Sequence, residues 1–194
     1  MRQFVLSAFL CLALTAMPAH AEMQSVPEPA NATATQSRLD DLFAKLKQES
    51  NEAAARGIAE RIREEWRSMG GPTADLLIDW ARKAAEKKKF NVALDLLDQV
   101  VVLYPQYVEG WDNRALVYLM MRDYSRAMSD LSQVLTIEPR HFGALSGLAG
   151  ILRATDLREE ALKVYRRMLE IYPMQRSAQR ALLSITDEQT DERL

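Results

Sequence analysis

Residues 113–139 read "NRALVYLMMRDYSRAMSDLSQVLTIEP". Apolar side chains recur here at helical spacing, first over 108–121 and then over 124–137, with a two- or three-residue break between them. Ala115 falls on the first predicted helix and Ala127 on the second, among the larger Trp111, Tyr118, Leu131 and Val134. Two small residues on facing helices let the backbones approach closely, where a Leu would hold them apart. Pro139 then ends the second helix, because proline lacks an N–H and disfavours helical geometry in the residue before it.

Moving outward, the same features return with one period. Pro105, Pro139 and Pro173 are equally spaced, and the same interval separates Ala93, Ala127 and Ala161, and again Ala81, Ala115 and Ala149. Three columns on one period mark a chain of repeated helix pairs over 72–105, 106–139 and 140–173. "LEIYP" (169–173) is a stop of the same kind as "TIEP" (136–139).

Upstream, Ala59 precedes Ala93 by that same interval, and Phe43, Leu46, Ile62 and Trp66 form an apolar stripe. Residues 38–71 are therefore expected to form a degenerate first repeat closed by Gly70-Gly71-Pro72. The alternative is one long helix over 40–69. Downstream, 174–186 is expected to be a capping helix whose Arg176, Gln179 and Arg180 supply the polar face a terminal unit needs. Residues 187–194 are expected to fray.

The beginning of the sequence predicts a compartment. "MRQFVLSAFLCLALTAMPAHA" has Arg2, an apolar run from Phe4 to Ala16, Pro18 and an Ala19-His20-Ala21 site. That is the layout of a signal peptide over 1–21, cleaved after Ala21. The run is shorter than the roughly 20 residues of a spanning helix, so no membrane span is expected after cleavage. Residues 22–37, "EMQSVPEPANATATQS", have no apolar period and are expected to be a disordered leader. The expected location is periplasmic or secreted.

Cleavage would leave a chain from Glu22 to Leu194 without any Cys, since Cys11 is the single one, and with His141 as the one remaining His. No disulfide, thiolate nucleophile or thiolate metal site is then possible. The formal charge moves from −2 to −3 on losing Arg2, which gives no basis for a nucleic-acid partner. No phosphate loop, G-x-S-x-G or H-E-x-x-H occurs. No cofactor, metal or enzymatic activity is expected. Asp156, with Glu159 and Glu160, is expected to cap and charge a helix start.

The columns resemble those of the tetratricopeptide repeat family, whose 34-residue unit has large residues at positions 4, 11 and 24, small ones at 8 and 20, and Pro at 32. In the unit from Val108 these are Trp111, Tyr118, Leu131, Ala115, Ala127 and Pro139. The units from Ala74 and Phe142 follow with Leu77, Ala81, Ala93, Leu97 and Pro105, and with Leu145, Ala149, Ala161, Tyr165 and Pro173. Position 27, usually small, holds Val100, Val134 and Met168.

The resemblance implies an all-α, right-handed superhelix of stacked helix-turn-helix repeats that binds a protein or peptide on its concave face. It implies a groove at Ile78, Arg82, Glu109, Asp112, Asn113, Leu116, Leu119, Met120, Ser146 and Arg153, with Asp75, Ala85 and Glu86 beside them. Gly143, Gly147 and Gly150 are expected to leave room for an approaching backbone. A specialised form grips a C-terminal carboxylate with two Lys, two Asn and one Arg. Those positions here hold Ile78, Arg82, Asn113, Gly143 and Gly147, so only Asn113 fits that clamp. Self-association into a homo-oligomer, through Leu42, Phe43 and Leu46 or through the capping helix, is the alternative role. A hydrolase using surface carboxylates is a third.

Overall fold

The computed structural model describes residues 30–191; the expected signal peptide and the first part of the expected leader lie outside the described residues. Helices account for nearly all of them: α1 (Ala30–Gln48), α2 (Glu52–Ser68), α3 (Gly71–Glu86), α4 (Phe90–Leu103), α5 (Val108–Met120), α6 (Tyr124–Ile137), α7 (Phe142–Ala154), α8 (Arg158–Ile171) and α9 (Arg176–Asp191). No strand occurs among the described residues.

Pairs α3/α4, α5/α6 and α7/α8 stack in order, α4 on α5 and α6 on α7, and α9 closes against α8. The small-residue columns carry this arrangement. Ala81, Ala115 and Ala149, with Ala93, Ala127 and Ala161, have no exposed surface. Each second helix stops where its proline demands. Tyr104, Glu138 and Tyr172 are the C-caps, their N–H groups bonding back to Val100, Val134 and Met168, and Pro105, Pro139 and Pro173 follow.

The turn inside each pair is also periodic. Lys88, Arg122 and Asp156 have φ of 57, 58 and 62°. The next residue's N–H returns to the last turn of the helix, Lys89 to Ala84, Asp123 to Tyr118 and Leu157 to Leu152, at 2.9, 2.9 and 2.8 Å. This is a Schellman closure with a left-handed residue that is not glycine. It corrects the expectation for Asp156: that residue forms the turn and bonds Arg158 at 2.9 Å, while Leu157 takes the N-cap of α8.

The N-terminal region is a hairpin and not one long helix. Residues 49–51 break it, and Asn51 caps α2 by accepting from the Ala54 N–H at 3.0 Å. Helix α1 begins at Ala30, inside the stretch expected to be unstructured. Once Leu39, Leu42, Phe43 and Leu46 are buried, extending an Ala-rich segment backwards needs no new nucleus. Helix α9 likewise runs to Asp191, past the expected end at 186, because no Gly or Pro interrupts it.

This hairpin does not stack on α3 and α4 as a further repeat. Instead α2 crosses the starts of the first helices of successive pairs. Glu52 pairs with Arg176 at the start of α9 at 2.8 Å. The Trp66 ring lies 4.1 Å from that of His141 and 5.2 Å from that of Phe142, at the start of α7. The Arg67 carbonyl accepts from the Tyr107 hydroxyl, at the start of α5, at 2.9 Å. Helix α1 meets the next layer, where Arg140 binds Asp40 at 2.7 Å and lies 4.2 Å over the Phe43 ring. The linking turn explains the change of direction. Gly71 has φ +73°, and a Cβ on Gly70 would overlap the Tyr107 ring. The repeat frame therefore ends at α3, and Ala59 packs inside the hairpin.

Candidate partner-binding groove

Helices α3, α5 and α7 line the concave side, and the polar framework there starts from Asn113. Its Nδ2 donates to the Glu109 carbonyl oxygen at 2.7 Å, which fixes the amide, and its Oδ1 then accepts from Arg82 Nε at 2.8 Å. Carboxylates of Glu109 and Asp79 stand 3.7 Å from the two Nη atoms of Arg82. One face of the guanidinium is thus held by α5 while 42% of the side chain stays exposed.

Beside it opens a cleft of about 230 Å³ between α3 and α5, with Ala85, Leu97, Val117, Leu116 and Met120 as its apolar lining and Glu86 at the rim. Leu116 and Met120 are 53% and 47% exposed. Side chains this apolar gain by being covered. A second cleft, of about 320 Å³, adjoins through Arg82 and is walled by Glu64, Arg67 and Ser68 of α2. At its base the Tyr107 hydroxyl lies 2.9 Å from the Arg67 carbonyl and 3.0 Å from Asp75 Oδ1. Burial, reinforced by Asp75, pushes the Tyr107 phenol far up, so it stays a hydrogen-bond donor.

Deeper, His141 joins the groove to the hairpin. Its Nδ1 accepts from the Ala144 N–H at 3.0 Å and caps α7, which places the hydrogen of the neutral ring on Nε2. That Nε2 is buried, has no hydrogen-bond partner among the described residues and lies 3.9 Å from Glu109 Oε1. Asp112 Oδ1 is 3.9 Å from Nδ1. Burial pushes the Asp112 carboxyl above the ordinary range; His141 opposes this and Glu109 adds to it. No group of three or more His, Cys, Asp or Glu able to hold a metal ion occurs among the described residues. Nor is any helix among them long and apolar enough to cross a membrane.

Arg82, Asn113, Leu116 and Met120 come together in the first cleft, and Ile78 joins Arg82 in the second. Glu109 and Asn113 are buried at 8% and 6%, so they support the groove from within. Asp112 is half-buried beside them. Leu119 reaches Gly147, where an added Cβ would come 3.7 Å from it and 3.2 Å from Leu131. Ser146 and Arg153 lie one pair further on, outside both clefts, and Arg153 Nη2 is 3.5 Å from Ser184 Oγ of α9.

Of the three glycines expected to leave room, Gly147 serves packing, Gly143 faces His141 and only Gly150 borders open space. The α2 wall and Tyr107 were not expected in the groove. Only the placement of α2 brings them there, and no sequence period encodes it.

Residues 118–185 match a family model described as "Tetratricopeptide repeat". A TPR repeat-containing protein of Rhizobium etli is 45% identical over 186 residues, covering 92% of this chain and 91% of that protein. The small glutamine-rich tetratricopeptide repeat-containing protein 2 of Saccharomyces cerevisiae is 27% identical over 89 residues, 46% of this chain and 26% of that protein. Among solved structures, the first TPR of Spaghetti bound to an HSP90 peptide is similar with a TM-score of 0.57 and 24% identity, over 61% of this chain and 96% of that one. The Sgt2 TPR domain from Aspergillus fumigatus gives 0.58 and 22%, over 66% and 86%. At these identities the structural likeness speaks for the fold.

Proposed function

The chain belongs to the tetratricopeptide repeat family, and from that premise we propose that it is a non-catalytic adaptor binding a peptide or partner helix in the concave cleft between α3 and α5. One observation carries this reading: Leu116 and Met120 stand half-exposed on a concave floor beside a guanidinium already pinned by Asn113. An exposed apolar floor with one fixed polar anchor suits a short segment that inserts apolar side chains and offers a carbonyl or carboxylate to Arg82. The peptide in the Spaghetti structure supports the mode of binding. Ile78, Arg82, Gly143 and Gly147 at the other positions of the family's carboxylate clamp favour a different ligand.

The test is a peptide selected by display on the chain from Glu22 onward, with its affinity measured by calorimetry. Leu116→Arg/Met120→Arg, checked by circular dichroism to be folded, should weaken binding at least tenfold. Unchanged affinity would move the site elsewhere.

The reading includes a location. An Arg2-led apolar run ending in Ala19-His20-Ala21 supports export to the periplasm, where the adaptor would serve envelope assembly or regulation. Cell fractionation with N-terminal sequencing checks this. A first residue of Glu22 in the periplasmic fraction agrees with it, and an unprocessed cytoplasmic chain does not. Self-association is the second reading. Of the faces first expected for it, Leu42, Phe43 and Leu46 are already buried within the chain.

A further inference from the structure

The stack has two ends, and they are finished differently. The C-terminal end is closed by α9. At the N-terminal end, the hairpin that precedes α3 in sequence is laid across the starts of later helices, and among the described residues the outer side of α3 and α4 is open.

The repeat equivalences identify what is left uncovered. Gly110 of α5 faces Val100 and Val101 of α4 so closely that an added Cβ would come 2.8 and 3.5 Å from their side chains. One turn on, Arg114 crosses to Asp98 of α4 at 2.8 Å. These two positions of a first helix point at the second helix of the preceding pair. Their counterparts on α3 are Leu76 and Trp80, and the hairpin supplies no such helix there. They are 48% and 49% exposed, and on α4 Val92 and Leu103 are 49% and 62% exposed. Val92, Leu96 and Leu103 share one face of α4, at spacings of four and seven residues. A terminal repeat is ordinarily polar on its outer side, and a contiguous apolar surface there marks a contact.

We propose that this open end is a self-association surface, on which α3 of one chain lies over α4 of a second copy and α4 over its α3. Charge argues for a second copy over an unlike protein. The face carries Lys83 on α3, three residues after Trp80, and Asp95 on α4, three residues after Val92. Neither side chain has an ion-pair partner among the described residues. Trp80 is level with Leu96, as Arg114 is with Asp130, to which it bonds at 2.7 Å. A twofold axis parallel to the helices therefore brings Lys83 of each copy near the level of Asp95 of the other. Lys83 and Asp95 thus set opposite charges beside a shared apolar strip, with Lys87, Lys88 and Lys89 beyond its Val92 end. The four helices so joined would cover Leu76 and Trp80 as the internal pairs cover one another.

Sedimentation velocity on the chain from Glu22 onward, from low micromolar to near-millimolar concentration, is the test. A reversible monomer–dimer equilibrium is expected. Leu76→Glu/Trp80→Glu should abolish it with native circular dichroism, and the separate variant Leu103→Glu should weaken it at least tenfold. Lys83→Asp and Asp95→Lys should each weaken it, and combining them should restore it. A monomer throughout, or a dimer indifferent to these apolar substitutions, overturns the proposal. So does a charge pair that fails to rescue, which would mean an unlike pairing of helices. If deleting residues 22–29 is what creates the dimer, the chain's own leader occupies the face and the proposal is also overturned. A dimer that still binds a selected peptide leaves the groove reading standing; the two assignments therefore fail separately.

Discussion

The three stacked pairs and the N-terminal hairpin are made from the same unit, two antiparallel helices meeting over small residues. Ala55 and Ala59 serve the hairpin as Ala115 and Ala127 serve the central pair, all without exposed surface. They are joined to the rest by different physics. Between pairs the contact is mainly apolar, intimate and repeated, so each junction depends on its immediate neighbours alone. Between hairpin and stack there is a single junction. It rests on one aromatic cluster, Phe43, Trp66, His141 and Phe142, on the ion pairs Arg140–Asp40 and Arg176–Glu52, and on the hydrogen bond from the Tyr107 hydroxyl to the Arg67 carbonyl. A repeated contact can be built from small residues because many weak copies add up. A crossing contact occurs once and is built from large side chains.

Two substitutions test that difference. Trp66→Ala removes the largest buried side chain at the crossing and should cost about 3–5 kcal/mol. By amide hydrogen exchange the loss should fall on α1 and α2 first, with α5 to α8 staying protected. Equal loss across all helices would make the hairpin an integral part of the stack. Ala127→Leu strikes the stack itself, prying α6 from α5, and should cost about 1–3 kcal/mol in chemical denaturation. Its damage should spread to both neighbouring pairs. An unchanged midpoint would mean that the alanine columns are not the contact.

This contrast also decides what could be foreseen. The stack was legible because proline stops and alanine columns recur on a single period, and repetition exposes a pattern that one copy would hide. Arg82, Asn113, Leu116 and Met120 were legible for the same reason, since their positions follow from the frame. The crossing was not. Trp66 and Phe43 show helical spacing, which fits a stacked repeat as well as a transverse hairpin, and the choice rests on Gly70, Gly71 and Tyr107 acting together. Asn113 and Glu109 are expected to face the groove, and in the structure both are buried. Their burial depends on Arg82 and His141 arriving from other helices, which no local pattern states.

The turns offer a smaller test. Each stacked pair closes through a left-handed residue, Lys88, Arg122 or Asp156, whereas none lies in the turn between α1 and α2. A side chain in that conformation is strained by about 1–2 kcal/mol, and glycine is not. After allowing for the extra freedom glycine gives the unfolded chain, Arg122→Gly should raise stability by about 0.5–1 kcal/mol. Ser50→Gly in the hairpin turn should lower it. A loss at Arg122 would show that its side chain contributes more than the turn strain costs.

Acid should separate the two regions most gently of all. The hydrogen bond from Arg140 holds the Asp40 carboxyl below its ordinary range, and that from Arg176 does the same for Glu52. A carboxylate with a lowered folded-state pKa adds stability that is complete above its unfolded value, about 4, and is lost as pH falls through the lowered one. Both pairs bridge hairpin and stack, so acidification below pH of about 4 should loosen α1 and α2 before α5 to α8. Asp112 works in the opposite sense. Its raised carboxyl takes up a proton more readily folded than unfolded, so falling pH through that raised value favours the layer beneath the crossing. Exposed ion pairs are weak and screened, so the separation should shrink in high salt. Exchange at a series of pH values, with and without added salt, would show it. Simultaneous loss in all helices would mean that the two ion pairs contribute nothing to the crossing.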